Sequence, residues 1–97
     1  MGVNYALLRT LTARELISAL IRDGFSWDRA HGSHQIYYHR DRRRVDVTFH
    51  SPGDTFPPKT LKSMIERQAR WTEEDLIRLK LISGPKKKGE GEGTGET

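Results

Sequence analysis

The chain has 97 residues, of which 34% are hydrophobic and 31% charged, so it can build one small domain and no more. It has no cysteine and no apolar run near the roughly 20 residues of a membrane span, which excludes disulfides, thiolate metal sites and a membrane helix and makes the cytoplasm the default location. The net charge of +4 lies entirely before residue 86, because three lysines and three glutamates cancel in residues 86 to 97.

The first predicted element is an amphipathic helix from about Ala13 to Asp23. Thr12 and Glu15 have the spacing of a capping box, in which each side chain bonds the other residue's backbone N–H. Gly24 can close the helix in a left-handed conformation, and Phe25 beyond it can pack against the apolar stripe. Four residues at helical spacing form that stripe: Leu16, Ile17, Leu20 and Ile21.

Three short strands are predicted next, over about Phe25 to Arg29, Gln35 to His39 and Arg44 to His50. The polar turn Arg40 to Arg43 joins the last two as a hairpin. In the third strand apolar residues alternate with polar ones, namely Val45, Val47 and Phe49 with Arg44, Asp46, Thr48 and His50. Because side chains alternate across a strand, the apolar set should face the core and leave Arg44, Thr48 and His50 on an open face beside the functional site.

Two helices are predicted after an irregular loop from Ser51 to Pro58. The first begins near Pro58 and has a stripe of Leu61, Met64, Ile65 and Ala69. The second is short and opens with a capping sequence at Thr72, with Leu76, Leu79 and Ile82 packing back. We therefore predict one domain over residues 1 to 84 and a flexible tail over 85 to 97, which is rich in glycine, lysine and glutamate.

The element order α-β-β-β-α predicts an α+β fold. Helices should lie on one face of a three-stranded antiparallel sheet, with an additional short C-terminal helix. This is the architecture of double-stranded RNA-binding domains.

Residues 29 to 50 hold all four histidines and five arginines, a bias that would attract a polyanion, although a solvated hairpin carrying charge for solubility explains the arginines equally well. Within this window Gly32, Ser33 and His34 open the second strand. Glycine and serine allow close approach of a ligand to the backbone, and an imidazole has the pKa for proton transfer near neutrality. The combination suggests chemistry on a phosphate-bearing partner.

The chain resembles the HicA toxin family of bacterial toxin-antitoxin pairs. The resemblance covers roughly residues 10 to 70 and rests on four pieces in succession: Gly24-Phe25, Gly32 to Tyr37, Val45-Asp46-Val47 leading to His50, and Thr60 to Ile65. The pairing of glycine-phenylalanine with a following glycine-serine-histidine and strand is its most specific element. Unlike the usual family pattern, no proline stands shortly before His50.

The resemblance implies an mRNA interferase, a small ribonuclease that stops translation and is neutralised by a HicB antitoxin. It assigns the catalytic role to His34. RNA supplies its own 2′-hydroxyl nucleophile, so one base and some cations suffice, and neither a metal nor another cofactor is required. Cleavage would leave a 2′,3′-cyclic phosphate and a 5′-hydroxyl. Gly32, Ser33 and cationic side chains would hold the phosphate, and the candidates are Arg29, Arg44, Lys59 and Lys62.

Each of these residues also has a structural interpretation. His34 has the same parity as Ile36 and Tyr38, so in a regular strand whose Ile36 is in the core it would be a buried structural histidine unless the strand breaks at Gly32. By the same parity, Tyr37 would be free to stack on an unpaired base. His50 could be a second proton-transfer group or an ordinary surface histidine. His31 and His39 are expected to be bystanders, and together with His34 and Asp28 they fit no recognised zinc spacing.

Two other functions remain compatible with the sequence. One is a non-catalytic RNA-binding module, in which the arginine-rich hairpin grips phosphates and His34 is a contact only. The other is a protein-interaction domain that binds no RNA. A His34→Ala variant separates a toxin from an RNA-binding module. The salt dependence of RNA affinity tests whether the chain is a protein-interaction domain that binds no RNA.

Overall fold

The structure, a computed structural model, describes residues 5 to 82. The predicted tail, residues 85 to 97, lies outside them. In chain order the described residues form a 3-10 turn at Tyr5–Leu8, then α1 (Ala13–Arg22), β1 (Phe25–His31), β2 (His34–His39), β3 (Arg44–Thr48), α2 (Pro58–Lys62) with a π-helical continuation (Ser63–Gln68), and α3 (Glu73–Arg78). The α+β arrangement with a three-stranded antiparallel sheet, predicted from the sequence, is confirmed.

Helix α1 begins at the predicted capping box. The Thr12 hydroxyl accepts the Glu15 N–H, and the Glu15 carboxylate accepts the Thr12 N–H at 2.9 Å. Gly24, with a φ of +105°, then turns the chain into β1. The predicted apolar stripe is confirmed at Leu16 and Leu20 and is wrong at Ile21, which is 56% exposed, because the buried face of the helix is completed by Ala13 and Ala19 instead.

The sheet has the strand order β1-β2-β3, so β2 is central and β3 is an outer strand. The β2–β3 register pairs Tyr37 with Val45, Ile36 with Asp46 and His34 with Thr48. The pairing of β1 with β2 is irregular between Trp27 and Arg29, where β1 contains one extra residue. The final two residues of the predicted third strand, beyond Thr48, lie outside β3.

The two faces of the sheet differ sharply. Val45 and Val47 lie in the core under the helices, as predicted, and Tyr37 joins them because it is the cross-strand partner of Val45. The expectation that Ile36 marks the core face and Tyr37 the open face is therefore wrong. His34, Ile36 and Tyr38 share the open face with the three polar residues of β3, namely Arg44, Asp46 and Thr48.

The predicted helix that begins near Pro58 is confirmed as a helix with a buried apolar stripe, but it is not a regular α-helix throughout. Its predicted stripe of Leu61, Met64, Ile65 and Ala69 is buried. After Lys62, however, the backbone adopts π-helical geometry through Gln68. This change brings the Gln68 side chain to the outer edge of the sheet, where its Oε1 accepts the Asp46 N–H at 2.8 Å.

Asp23, which follows α1, ties the helices to the β2–β3 hairpin. Its carboxylate accepts hydrogen bonds from Trp71 Nε1 at 2.8 Å and Arg78 at 2.9 Å, and Arg43 lies 3.3 Å away. Burial opposes ionisation, but the hydrogen bonds from Trp71 and Arg78 and the charge of Arg43 outweigh it and hold the Asp23 pKa below its usual value. Helix α3 begins at the predicted cap, where Thr72 and Asp75 form a second capping box.

Candidate functional site

His34 is the first residue of β2 and follows a two-residue turn made by Gly32 and Ser33. Gly32 has a φ of +65°, a backbone angle that residues other than glycine adopt at a cost. It occupies the first loop position, as in a type II′ hairpin. The turn is fixed to β3 by the Phe49 N–H, which donates to the Ser33 carbonyl at 3.2 Å. His34 therefore points from the start of a regular strand, and no break in the strand is needed to expose it.

The His34 imidazole is bound on one side only. Its Nδ1 lies 2.9 and 3.0 Å from the two carboxylate oxygens of Asp46 and 3.0 Å from the Thr48 hydroxyl. The other ring nitrogen, Nε2, has no hydrogen bond to any of residues 5 to 82. Since the His34 side chain is 48% exposed, that nitrogen is accessible to a ligand on the open face.

A depression of about 380 Å³ lies on the open face beside His34. It is rich in cationic and imidazole groups, with Asp46 as the one carboxylate among its lining residues. Arg29 also contacts Asp28, at 2.6 Å, in an exposed ion pair that adds little stability. The lining residues are Arg29, His31, His34, Ile36, Arg44 and Asp46.

A second depression, of about 340 Å³, lies between β3 and α2. It shares Asp46 with the first, and it includes Thr48, which also contacts His34. The His34–Asp46–Thr48 cluster thus stands between the two depressions. Hydroxyl groups and one lysine dominate the second lining, which consists of Asp46, Thr48, Lys59, Thr60, Ser63, Met64 and Gln68.

The structure brings together only part of the predicted site. Arg29 and Arg44 line the first depression with His34, and Lys59 lines the second. Lys62 and His50 are exposed and line neither depression. The His50 backbone N–H donates to the Asp54 carboxylate at 2.9 Å in the loop after β3; this bond and one from the Ser51 N–H hold the pKa of Asp54 below its usual value.

Tyr37 needs a correction. Its side chain is 6% exposed and packs in the core cluster, so its ring cannot stack on a base from the open face. Burial also raises the pKa of its hydroxyl. The error comes from assigning Ile36 to the core on its hydrophobicity alone, whereas Ile36 is buried on the open face, where it lines the first depression.

Sequence reasoning missed Asp46 and Thr48 as partners of His34, and it missed His31 as a neighbour. His31 is the cross-strand partner of His34 and lines the same depression. Counting outward from the hairpin turn would have shown part of this. With Val45 in the core, a register that places Tyr37 opposite Val45 puts His34 opposite Thr48 and two residues from Asp46 on one face.

Among residues 5 to 82, no three histidine, aspartate or glutamate side chains converge in an arrangement that could hold a metal ion. Within the same residues, no helix has the length and apolar character that crossing a membrane requires.

The open face of the sheet in this small α+β domain has an exposed imidazole in an arginine-lined depression. Such a site is suited to an anionic ligand. The family described as "HicA toxin of bacterial toxin-antitoxin" matches residues 13 to 71, more than half of the chain. The chain therefore belongs to the HicA toxin family, as its sequence motifs suggested. No curated protein matches the sequence closely enough to be informative.

Proposed function

We propose that this HicA-family toxin is an endoribonuclease that cleaves mRNA through His34 by a metal-independent mechanism. One observation carries the proposal. The His34 ring is half-exposed, engages Asp46 and Thr48 through Nδ1 alone, and lies in a depression with two arginines. His39, at the other end of β2, by contrast has both ring nitrogens engaged and a side chain that is only 16% exposed.

The chemistry uses the 2′-hydroxyl that RNA carries beside each phosphodiester. His34 takes the proton of that hydroxyl, the 2′-oxygen bonds to phosphorus, and the bond from phosphorus to the 5′-oxygen breaks. A second group returns a proton to the departing 5′-oxygen, leaving a 2′,3′-cyclic phosphate and a 5′-hydroxyl. A positioned base contributes roughly 10²- to 10⁴-fold to such a reaction, and the intramolecular nucleophile supplies much of the rest.

Cationic side chains on both sides of His34 support phosphate binding. Arg29 and Arg44 lie in the first depression and Lys59 lies in the second, so a single RNA strand crossing the cluster would meet a cation on each side. Guanidinium groups suit phosphate because they donate several parallel hydrogen bonds. Gly32 and Ser33 would contribute small donors at the edge of the first depression, and Lys62 a longer-range charge.

The second proton-transfer group has two candidates. His50, proposed on sequence grounds, lies outside both depressions, whereas His31 is directly opposite His34 on the neighbouring strand. Directly opposed residues have Cβ atoms about 4.5 to 5.5 Å apart, which is close enough for two imidazoles to flank one phosphate. We favour His31, so a His31→Ala variant should slow cleavage more than a His50→Ala variant does.

Membership of the HicA family implies a cognate antitoxin partner. We propose that a HicB-like protein holds the toxin inactive, and that release from it allows cleavage and arrests translation in the cytoplasm. The need for such control follows from the site itself, because an open cationic depression with a free imidazole would attack accessible RNA without strong selection.

The test is cleavage of a labelled single-stranded RNA by the purified chain, with analysis of the product ends. We expect 2′,3′-cyclic phosphate ends, activity in the presence of a chelator, and no cleavage where the 2′-hydroxyl is replaced by hydrogen. Recovery of 3′-hydroxyl ends, or a strict requirement for a divalent ion, would contradict the mechanism. Salt-sensitive binding without any cleavage would instead support the non-catalytic RNA-binding module.

A further inference from the structure

We propose that Asp46 is a positioning residue that fixes the protonation pattern of the His34 ring. It holds the proton on Nδ1, so that the lone pair of the neutral ring lies on Nε2, the nitrogen that faces RNA. The inference rests on the proposed ribonuclease function for its catalytic meaning, but the ring geometry can be measured without any RNA.

The distances favour a proton on Nδ1. Both carboxylate oxygens of Asp46 lie within 3.0 Å of His34 Nδ1. An ionised carboxylate only accepts hydrogen bonds, so a lone pair on Nδ1 at this distance would be repelled, whereas an N–H donates. The Thr48 hydroxyl oxygen, 3.0 Å from the same nitrogen, can also accept. A neutral imidazole protonated on Nδ1 has its lone pair on Nε2.

The fold anchors the backbone of Asp46. Asp46 lies on the outer strand, and its backbone N–H donates to Gln68 Oε1 at 2.8 Å. The Gln68 amide in turn donates to the Ser63 hydroxyl at 3.1 Å. The π-helical segment contains both Ser63 and Gln68, and such segments are frequent at functional sites. The π-helical segment therefore supplies the side chain, that of Gln68, which anchors the backbone of Asp46.

Charge gives the carboxylate a second role. When His34 takes a proton it becomes a cation, and it faces Arg29, Arg44 and His31 in the same depression. The two guanidinium groups attract phosphate but disfavour another positive charge beside them. Asp46 is the one carboxylate among the lining residues, so it offsets this repulsion at the moment of proton transfer. Positioning and charge compensation together resemble the part that aspartate plays beside histidine in hydrolytic triads.

The experiment measures the protonation of the His34 ring and the rate of RNA cleavage separately. In the ¹⁵N-labelled full chain, the two ring-nitrogen chemical shifts of His34 report which nitrogen is protonated. We expect a proton on Nδ1 in the wild type, a mixture of the two neutral forms in Asp46→Ala, and recovery of the wild-type pattern in Asp46→Glu. Circular dichroism checks that each variant is folded, which a substitution at the partly exposed Asp46 on the open face should permit.

Kinetics on a short single-stranded RNA supply the second readout. Asp46→Ala should lower kcat by at least about tenfold and leave KM within about twofold, because the residue acts through His34 and not by binding RNA. Asp46→Glu should restore most of the rate. Glu74→Gln, which removes one exposed negative charge at the start of α3, is the matched control and should leave kcat unchanged.

Two outcomes would overturn the proposal: a wild-type ring protonated on Nε2, or an Asp46→Ala variant that keeps both the ring pattern and kcat. A wild-type chain that cleaves no RNA, yet has the Nδ1 proton, would contradict the ribonuclease function and with it the catalytic role of Asp46. The ring spectrum thus distinguishes that failure from an error in the geometry.

Discussion

Strand β2 begins and ends with a histidine, and the two residues have opposite environments. His39 has a side chain that is 16% exposed, and both of its ring nitrogens are engaged: Nε2 donates to the Asp23 carbonyl at 2.9 Å, and Nδ1 accepts the Asp41 N–H at 3.1 Å. Its ring also meets Phe25 edge-on, with centroids 5.1 Å apart. His34 is three times as exposed and uses one nitrogen only.

The comparison separates a histidine that holds the fold together from one that is available for chemistry. Both have an aspartate neighbour, so an aspartate alone does not distinguish them. What differs is whether a nitrogen remains for a ligand. Each histidine also has a nearby glycine: Gly24 lies against the His39 ring, whereas Gly32 precedes His34 in open space. Three pairs of variants, and one variant compared with the wild type, test this contrast.

The largest expected effect is on cleavage. His34→Ala should lower the rate of RNA cleavage by about 10²- to 10⁴-fold, because it removes the base, and should leave thermal stability close to that of the wild type. His39→Ala should have the reverse pattern, a loss of about 1 to 3 kcal/mol of unfolding free energy with the rate per folded molecule retained. Denaturant unfolding and single-turnover cleavage measure the two effects. Equal loss of activity in both folded variants would contradict the division of roles.

The glycines should show the next largest difference, this time in stability. An added Cβ at Gly24 would lie 2.8 Å from His39 Nε2, and the φ of +105° is strained for any side chain. Gly24→Ala should therefore cost at least about 2 kcal/mol of unfolding free energy.

Gly32→Ala is the matched control for that measurement. Its φ is also positive, but an added Cβ there would meet nothing within 4 Å, so the cost should be about 1 kcal/mol. Urea unfolding curves for the two variants provide the comparison. If Gly32→Ala proved the more damaging change, the contacts assigned to His39 would be wrong.

The stability that Asp23 contributes beside His39 should also depend on pH. The pKa of Asp23, whose carbonyl accepts the hydrogen bond from His39, is held below its usual value by hydrogen bonds from Trp71 and Arg78 that outweigh burial. Its contribution to stability is present above the unfolded pKa of about 3.9 and is lost as pH falls through the lower folded value.

We therefore expect the wild type to lose more stability between pH 6 and pH 3 than Asp23→Asn does. Some acid dependence should remain in the variant, because the pKa values of Asp41, Asp54 and Asp75 are also lowered. Urea midpoints at several pH values provide the measurement. Parallel curves for the two proteins would show that the Asp23 network contributes nothing.

The smallest expected effect concerns RNA binding near His34. Lys59→Gln should weaken RNA binding several-fold and reduce the slope of log affinity against log salt by about one, because Lys59 lines the second depression. Lys62→Gln removes the same charge from the same helix outside both depressions and should change the slope less. Filter-binding titrations at several salt concentrations would detect the difference. Identical slopes for the two variants would exclude a phosphate contact in the second depression.

Much of the fold was predictable because its signals are local. The capping boxes at Thr12 and Thr72 need only residues three apart, and the alternation of Val45 and Val47 shows which face of β3 is buried. The exposure of His34 was less accessible to sequence reasoning. Ile36 has the side chain of a core residue, and it is buried, but it lies on the open face in the lining of the first depression. Because of that ambiguity, the prediction placed Ile36 on the core face, where the structure has Tyr37.

The amino-acid sequence by itself determined the order of helices and strands, the family and the identity of His34 as the candidate base, because caps, periodicity and the glycine-serine-histidine motif each span only a few residues. The tertiary structure alone decided which face of β2 is open, which carboxylate adjoins His34, and which lysine reaches the second depression. Asp46 is 12 residues from His34 along the chain, and Gln68 is a further 22 away. Such contacts exist only once the strand register and the π-helical segment are set, since both depend on how distant parts of the chain pack.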